Sequence, residues 1–367
     1  MRRNLPAYAS EFAGTALVLF FGVSAVSFMW GAASPVPVVP NPALRRLLTG
    51  ILFAGGATAV VYSPLGQISG GHINPAVTLA FWRLGKVPTR EAVLYVVAQC
   101  LGALVGAYAA GVAWGPLTAS VHYAATVPGE GYSAIVAFAA ETLLTFLLVF
   151  TIFVCVNKPK LAPRTGIIAG SLVATLVMIE APVSGTSLNP ARTLGPAVIA
   201  PVYTALWVYF AGPIAGALLA VAAYRGQWGS QTVCAKLYHT EKYACPFDTC
   251  SYRLVKAGET VMREGEPGTE AYLVERGSLD VRLHERETPA EVLVARLGPG
   301  DWVGEISLIL EEPRSATVVA ATDAQLRRVT RHDLGHVLAE DPDRTTELVR
   351  QLARRVKAVN ERLVGRV

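Results

Sequence analysis

The stretch Ser69-Gly70-Gly71-His72-Ile73-Asn74-Pro75-Ala76-Val77-Thr78 has a counterpart later in the chain, Gly185-Thr186-Ser187-Leu188-Asn189-Pro190-Ala191-Arg192. Each sets an Asn before a Pro that opens an apolar segment too short to cross a bilayer. Proline suits the first helical position, where its missing N–H is not needed, so each segment reads as a half-helix entering the membrane from a loop. Around them lie six apolar stretches, near 10–30, 44–65, 91–113, 133–156, 165–182 and 203–224, each long enough for a hydrocarbon core of about 30 Å. Glu11 opens the first span and Glu141 the fourth, so the chain repeats itself. Three spans per repeat is an odd number, and the two halves must therefore have opposite topology.

Composition agrees. Of 367 residues 52% are hydrophobic and 16% charged, with a mean hydropathy of +0.41, too apolar for an ordinary soluble domain. Residues 1–225 carry 12 Lys+Arg and 5 Asp+Glu, and the remainder 20 and 22. The net charge of +5 thus belongs to loops of the apolar part and points to neither nucleic acid nor an acidic substrate. Arg2, Arg3, Arg83, Lys86, Arg90, Lys158, Lys160, Arg164 and Arg225 fall on one side, against Arg45 and Arg46 on the other, which places both termini in the cytoplasm. Met1-Arg2-Arg3 and the following apolar run have the look of a signal peptide, but Glu11 and five further spans favour a retained first helix. Three regions result: a membrane channel over 1–225, a linker over 226–250, and a glycine-punctuated β unit over 251–367 ending in a helix.

On these motifs, residues 1–225 resemble the aquaporin, or major intrinsic protein, family. The resemblance implies an α-helical membrane channel of six transmembrane helices and two re-entrant half-helices in an inverted repeat, assembled as a homotetramer in a plasma membrane, here a bacterial inner membrane. Half-helices meeting head to head aim their positive ends at the pore and repel cations. Asn74 and Asn189 are expected to donate to a passing neutral oxygen, while Glu11, Glu141 and His72 brace the loops. In the family an outer constriction lies at fixed offsets from the two asparagines. Counting gives Ala54, Val177, Thr186 and Arg192. That set is wider than a water filter, and the run Pro182–Pro196 looks most like nodulin-like members. The expected permeants are small neutral solutes, metalloid hydroxides such as boric or arsenous acid first, then glycerol and water.

Gly304-Glu305-Ile306-Ser307-Leu308 followed by Pro313-Arg314-Ser315-Ala316-Thr317 resembles the phosphate-binding cassette of cyclic nucleotide-binding domains, which implies a β-roll plus helix. Arg314 would make charge-assisted bonds to the exocyclic phosphate, Glu305 would accept from the ribose 2′-OH, and Gly304, Ser315 and Thr317 would complete the cradle. Either cAMP or cGMP fits, with cAMP favoured. A helix over Asp343–Leu363, apolar at Leu348, Leu352, Val356, Val359 and Leu363, ends the chain without room for a helix-turn-helix reader, so no nucleic acid partner is expected. In the linker, Cys234, His239, Cys245 and Cys250 are candidate Zn²⁺ or arsenic ligands, although their spacings match no compact zinc-finger pattern. The combined expectation is a channel, not an enzyme, regulated by cyclic nucleotide. The alternative is a constitutive water and glycerol channel whose β-roll serves assembly or localisation.

Overall fold

The computed structural model describes residues 4–32, 34–36, 39–158, 160–228, 234–240, 243, 245–247, 252–284, 291–330, 334, 345–346, 348–354 and 357. Two compact units divide at Thr249 and Cys250. In the first, the helices are α1 (Leu5–Trp30), α2 (Pro42–Tyr62), α3 (Pro64–Ser69), α4 (Pro75–Arg83), α5 (Thr89–Trp114), α6 (Pro116–Ala119), α7 (Ala134–Asn157), α8 (Thr165–Ser184), α9 (Pro190–Ile199) and α10 (Val208–Trp228). Six of them, α1, α2, α5, α7, α8 and α10, are long and apolar enough to cross a membrane. The short α4 and α9 begin at the two Asn-Pro-Ala motifs.

Between apolar helices in lipid, close backbone approach replaces the hydrophobic drive, so small residues mark the contacts. Helix α1 packs along α5 and α7 along α10, the same pairing in each half. A methyl group at Gly106 would overlap the carbonyl oxygen of Ala16, and one at Gly216 the carbonyl oxygen of Thr142. Glycine is what these crossings tolerate. Helix α2 packs on α8 and joins the halves. Lys86, Arg90, Lys158 and Arg164 mark one end of the bundle, called here the basic end, and Arg45 and Arg46 the other.

A break after α2 and a departure from the sequence reading in the linker matter for function. Helix α2 stops at Tyr62, Ser63 is extended (φ −70°, ψ 168°), and Pro64 starts α3. The path from residue 54 to Asn74 is therefore not one uninterrupted helix. The departure concerns the linker. Helix α10 runs to Trp228, and among the described residues beyond it Ala235, Leu237 and Phe247 pack into the core of the channel unit.

The second unit comprises β1 (Tyr252–Val255), β2 (Thr260–Met262), β3 (Glu270–Arg276), β4 (Leu279–His284), β5 (Glu291–Leu297), β6 (Trp302–Val303), α11 (Glu305–Leu310), β7 (Thr317–Ala320) and β8 (Ala324–Thr330). They form two four-stranded antiparallel sheets, ordered β1-β8-β3-β6 and β2-β7-β4-β5. Alternation aims Ala324 and Leu326 of β8 inward to meet Val255, Tyr272, Leu279 and Val318 in one core. Trp302, fully buried, centres a second cluster with Ala271, Leu273, Leu308 and Val329. Leu348 and Leu352 of the final segment pack there, and Gln351 exchanges two hydrogen bonds of 2.8 Å with the Trp302 backbone. Val356, Val359 and Leu363 lie outside the described residues.

Candidate functional site

Each re-entrant loop is held by one buried carboxylate. Glu11 Oε1 accepts from Ser69 Oγ at 2.6 Å and His72 N–H at 3.0 Å, and its Oε2 from Ile73 N–H and Gln99 Nε2, both at 2.7 Å. Glu141 repeats this for the other loop, accepting from Ser184 Oγ, Ser187 N–H and Leu188 N–H, all at 2.7 Å. Ile73 (φ 44°) and Leu188 (φ 57°) are left-handed, a strain on the order of 1–3 kcal/mol each that the carboxylates help to offset. Tyr95 and Tyr209 complete the symmetry, donating to the carbonyls of Ser69 and Ser184 at 2.7 and 2.8 Å. Sequence reasoning missed both tyrosines, although their near-equal offsets from the two motifs are a usable signal.

The loops are then locked to each other. Asn74 Nδ2 donates to the Leu188 carbonyl and Asn189 Nδ2 to the Ile73 carbonyl, each at 2.9 Å. Their Oδ1 atoms accept from the helix N-termini, from Ala76 N–H at 2.8 Å and Ala191 N–H at 3.0 Å. Each amide thus spends its oxygen on capping and one N–H on the facing loop, which leaves the second N–H for a solute.

Two cavities meet above this crossing. One of about 410 Å³ opens toward Trp30, Arg46 and Thr49, and another of about 120 Å³ runs past Asn74 and Asn189 to Leu237. Phe53, Val173, Ser187 and Arg192 line both and therefore bound the neck between them. The Arg192 guanidinium sits 5.0 Å from the Phe53 ring centroid, within cation–π range, and donates to the Ala124 carbonyl at 2.7 Å. Val177 and Thr186 line the larger cavity, and Thr186 Oγ1 donates to Glu180 Oε2 at 2.6 Å. Ala54 lines only the smaller cavity, away from the neck. The count from Asn74 gave Ala54; in the structure its neighbour Phe53 lies by the Arg192 guanidinium and lines both cavities. Thr193 bonds Thr126 at 2.7 Å and Ser187 at 2.6 Å, supporting the neck from behind.

In the second unit a cavity of about 390 Å³ has apolar walls from Met262, Val281, Leu283 and Val303 and a polar floor from Gly304, Glu305, Arg314 and Ser315. Glu305 and Arg314 are 1% and 6% exposed. Arg314 is fixed by its backbone, which pairs with Glu266 O and Gly265 N–H at 2.8 Å, and by Nη1 donating to Gly304 O at 3.0 Å. An apolar slot over a buried cation and buried carboxylate suits a ligand with a flat base, a ribose hydroxyl and one phosphate charge. Thr317 does not line the slot, because its hydroxyl accepts from Glu264 N–H at 3.1 Å.

The Zn²⁺ expectation finds no support. Among the described residues no three His, Cys, Asp or Glu side chains are placed to hold a metal, and Cys250 lies outside them. Cys234 is buried and Cys245 packs on the channel's apolar core.

A bundle of six spans with two half-helices crossing at capped asparagines defines a solute channel rather than an enzyme. Residues 2–224 match the major intrinsic protein family, and the chain belongs to that family. Residues 252–341 match the cyclic nucleotide-binding domain family. Aquaporin AqpM of Methanothermobacter marburgensis is 40% identical over 233 residues, covering 59% of this chain and 94% of the relative. Aquaporin NIP1-3 of Oryza sativa subsp. japonica is 35% identical over 223 residues, covering 60% and 76%. Among solved structures, the aquaglyceroporin from Plasmodium falciparum superposes with a TM-score of 0.52 at 20% identity over 60% of this chain and 95% of its own, a likeness of fold.

Proposed function

We propose that the chain forms a plasma-membrane channel, tetrameric and with its basic end and both termini cytoplasmic, whose flux of small neutral solutes responds to a cyclic nucleotide. The neck of Phe53 and Arg192 carries the solute reading. An aromatic ring opposite a guanidinium admits water readily. The aliphatic Val177 beside it leaves more room than a ring would, which supports glycerol and compact trihydroxy acids, boric and arsenous, as slower permeants. Metalloid hydroxides move from first to secondary place here, because their priority rested on an alanine at the neck. The slot over Arg314 and Glu305 supports cAMP or cGMP as the regulator.

In proteoliposomes, stopped-flow light scattering is expected to give water flux above that of empty vesicles and a change on adding cAMP to the cytoplasmic face. Flux indifferent to both nucleotides would favour a constitutive channel with an assembly module. Phe53→Ala should raise the ratio of glycerol to water flux severalfold by removing the ring from the neck, a direction read from pore geometry. An unchanged ratio would place the barrier elsewhere.

A further inference from the structure

We infer that residues 234–240, 243 and 245–247, which follow the last spanning helix, form an autoinhibitory plug seated in the basic end of the pore. This rests on the channel reading above. Backbone pairing holds the segment at the mouth: Leu237 N–H donates to Gly70 O at 2.9 Å, and Ala235 O accepts from His72 Nε2 at 2.7 Å. Gly70 and His72 belong to the loop that leads to Asn74, so the plug occupies polar groups that a solute leaving the asparagines would meet next. Leu237, 5% exposed, lines the smaller pore cavity itself. An apolar side chain there replaces the acceptors and donors a hydrated solute needs.

The seat is specific. Phe247, 1% exposed, stacks on His72 with centroids 5.6 Å apart and touches Tyr95 at 5.5 Å. Tyr238 meets Tyr62 edge-on at 4.7 Å. Lys236, only 2% exposed, donates its ammonium to Gln67 O at 2.6 Å and Tyr243 O at 3.2 Å. Burying an ammonium is costly unless carbonyls receive it, so this contact selects one placement of the segment. A methyl group at Gly70 would come within 3.3 Å of Ala235 O and the Lys236 side chain, so the fit is close. Only residues 248–251 separate Phe247 from β1 of the nucleotide-binding unit. A ligand there shifts the plug if it binds the seated and released forms with different affinity.

The test is water flux by the full-length protein in liposomes, with Leu237→Ala to clear the lumen and Phe247→Ala to release the anchor. Phe247→Ala removes the ring that packs on His72 and Tyr95, and roughly a tenfold rise in flux per channel is expected. Leu237→Ala should raise flux with the anchor intact. Equal flux from wild type and both variants, above that of empty vesicles, overturns the plug and leaves the channel. Flux at the empty-vesicle level from all three, each monodisperse and folded, overturns the channel reading and the plug with it. Should Phe247→Ala misfold, Tyr238→Ala loosens the same segment and carries the same expectations.

Discussion

Glu11→Leu is expected to leave little folded channel. The substitution keeps approximate volume and takes an acceptor from four donors; the Ser69 hydroxyl and the Gln99 side chain keep Leu65 O and Thr78 Oγ1, whereas the His72 and Ile73 amides are left without one. A buried donor left unsatisfied costs about 1–3 kcal/mol, and two of them, with the left-handed backbone at Ile73 no longer held, take up a large part of the roughly 5–15 kcal/mol that holds a typical protein together. Glu11→Gln should be intermediate, because one amide oxygen survives while its NH₂ opposes other donors. Size-exclusion profiles and thermal unfolding in detergent would read the order wild type, Gln, Leu. A Leu variant as stable as wild type would mean that the loop is held by the Asn74 and Asn189 crossing alone.

Arg314→Ala is expected to abolish measurable cyclic nucleotide binding. The guanidinium is the buried cation at the floor of the slot, and truncating one partner of a desolvated charge pair costs about 2–5 kcal/mol, roughly thirtyfold to several thousandfold in affinity. Arg314→Lys keeps the charge but loses the planar fork, so it should bind with intermediate affinity. The backbone pairing of Arg314 with Gly265 and Glu266 does not depend on its side chain, so the fold should survive both changes. Calorimetric titration of the full chain with cAMP and cGMP checks this. Wild-type affinity in the Ala variant would remove the phosphate from that end of the slot.

The sequence carried the large-scale plan because each part has a local cause. Six apolar runs must be helices where no water can satisfy a backbone, and two Asn-Pro-Ala segments too short to span must re-enter. What escaped depended on non-local geometry. The count from Asn74 gave Ala54, and no count can show which of two neighbours in one helix meets the Arg192 guanidinium, a contact made by Phe53. Tyr95 and Tyr209 lie in apolar runs like any lipid-facing aromatic, and only the fold reveals the carbonyls they reach. Residues 226–250 read as a polar linker because the contacts of Ala235, Leu237 and Phe247 are with groups of another segment and leave no periodicity. In the β unit, Gly304, Glu305, Arg314 and Ser315 were legible as a short motif, while Thr317 turned to a backbone amide across the strand.

The reciprocal bonds between Asn74 and Leu188 and between Asn189 and Ile73 also impose an order on biosynthesis. Asn74 and its acceptor are 114 residues apart, so at a ribosomal pace of roughly 5–20 residues per second the first loop waits on the order of 6–23 s for its counterpart. Throughout that interval the nascent chain has its early spans threaded and one re-entrant hairpin without its mate. The membrane insertion machinery must therefore shelter a half-built conduit until translation delivers the carbonyl that latches it.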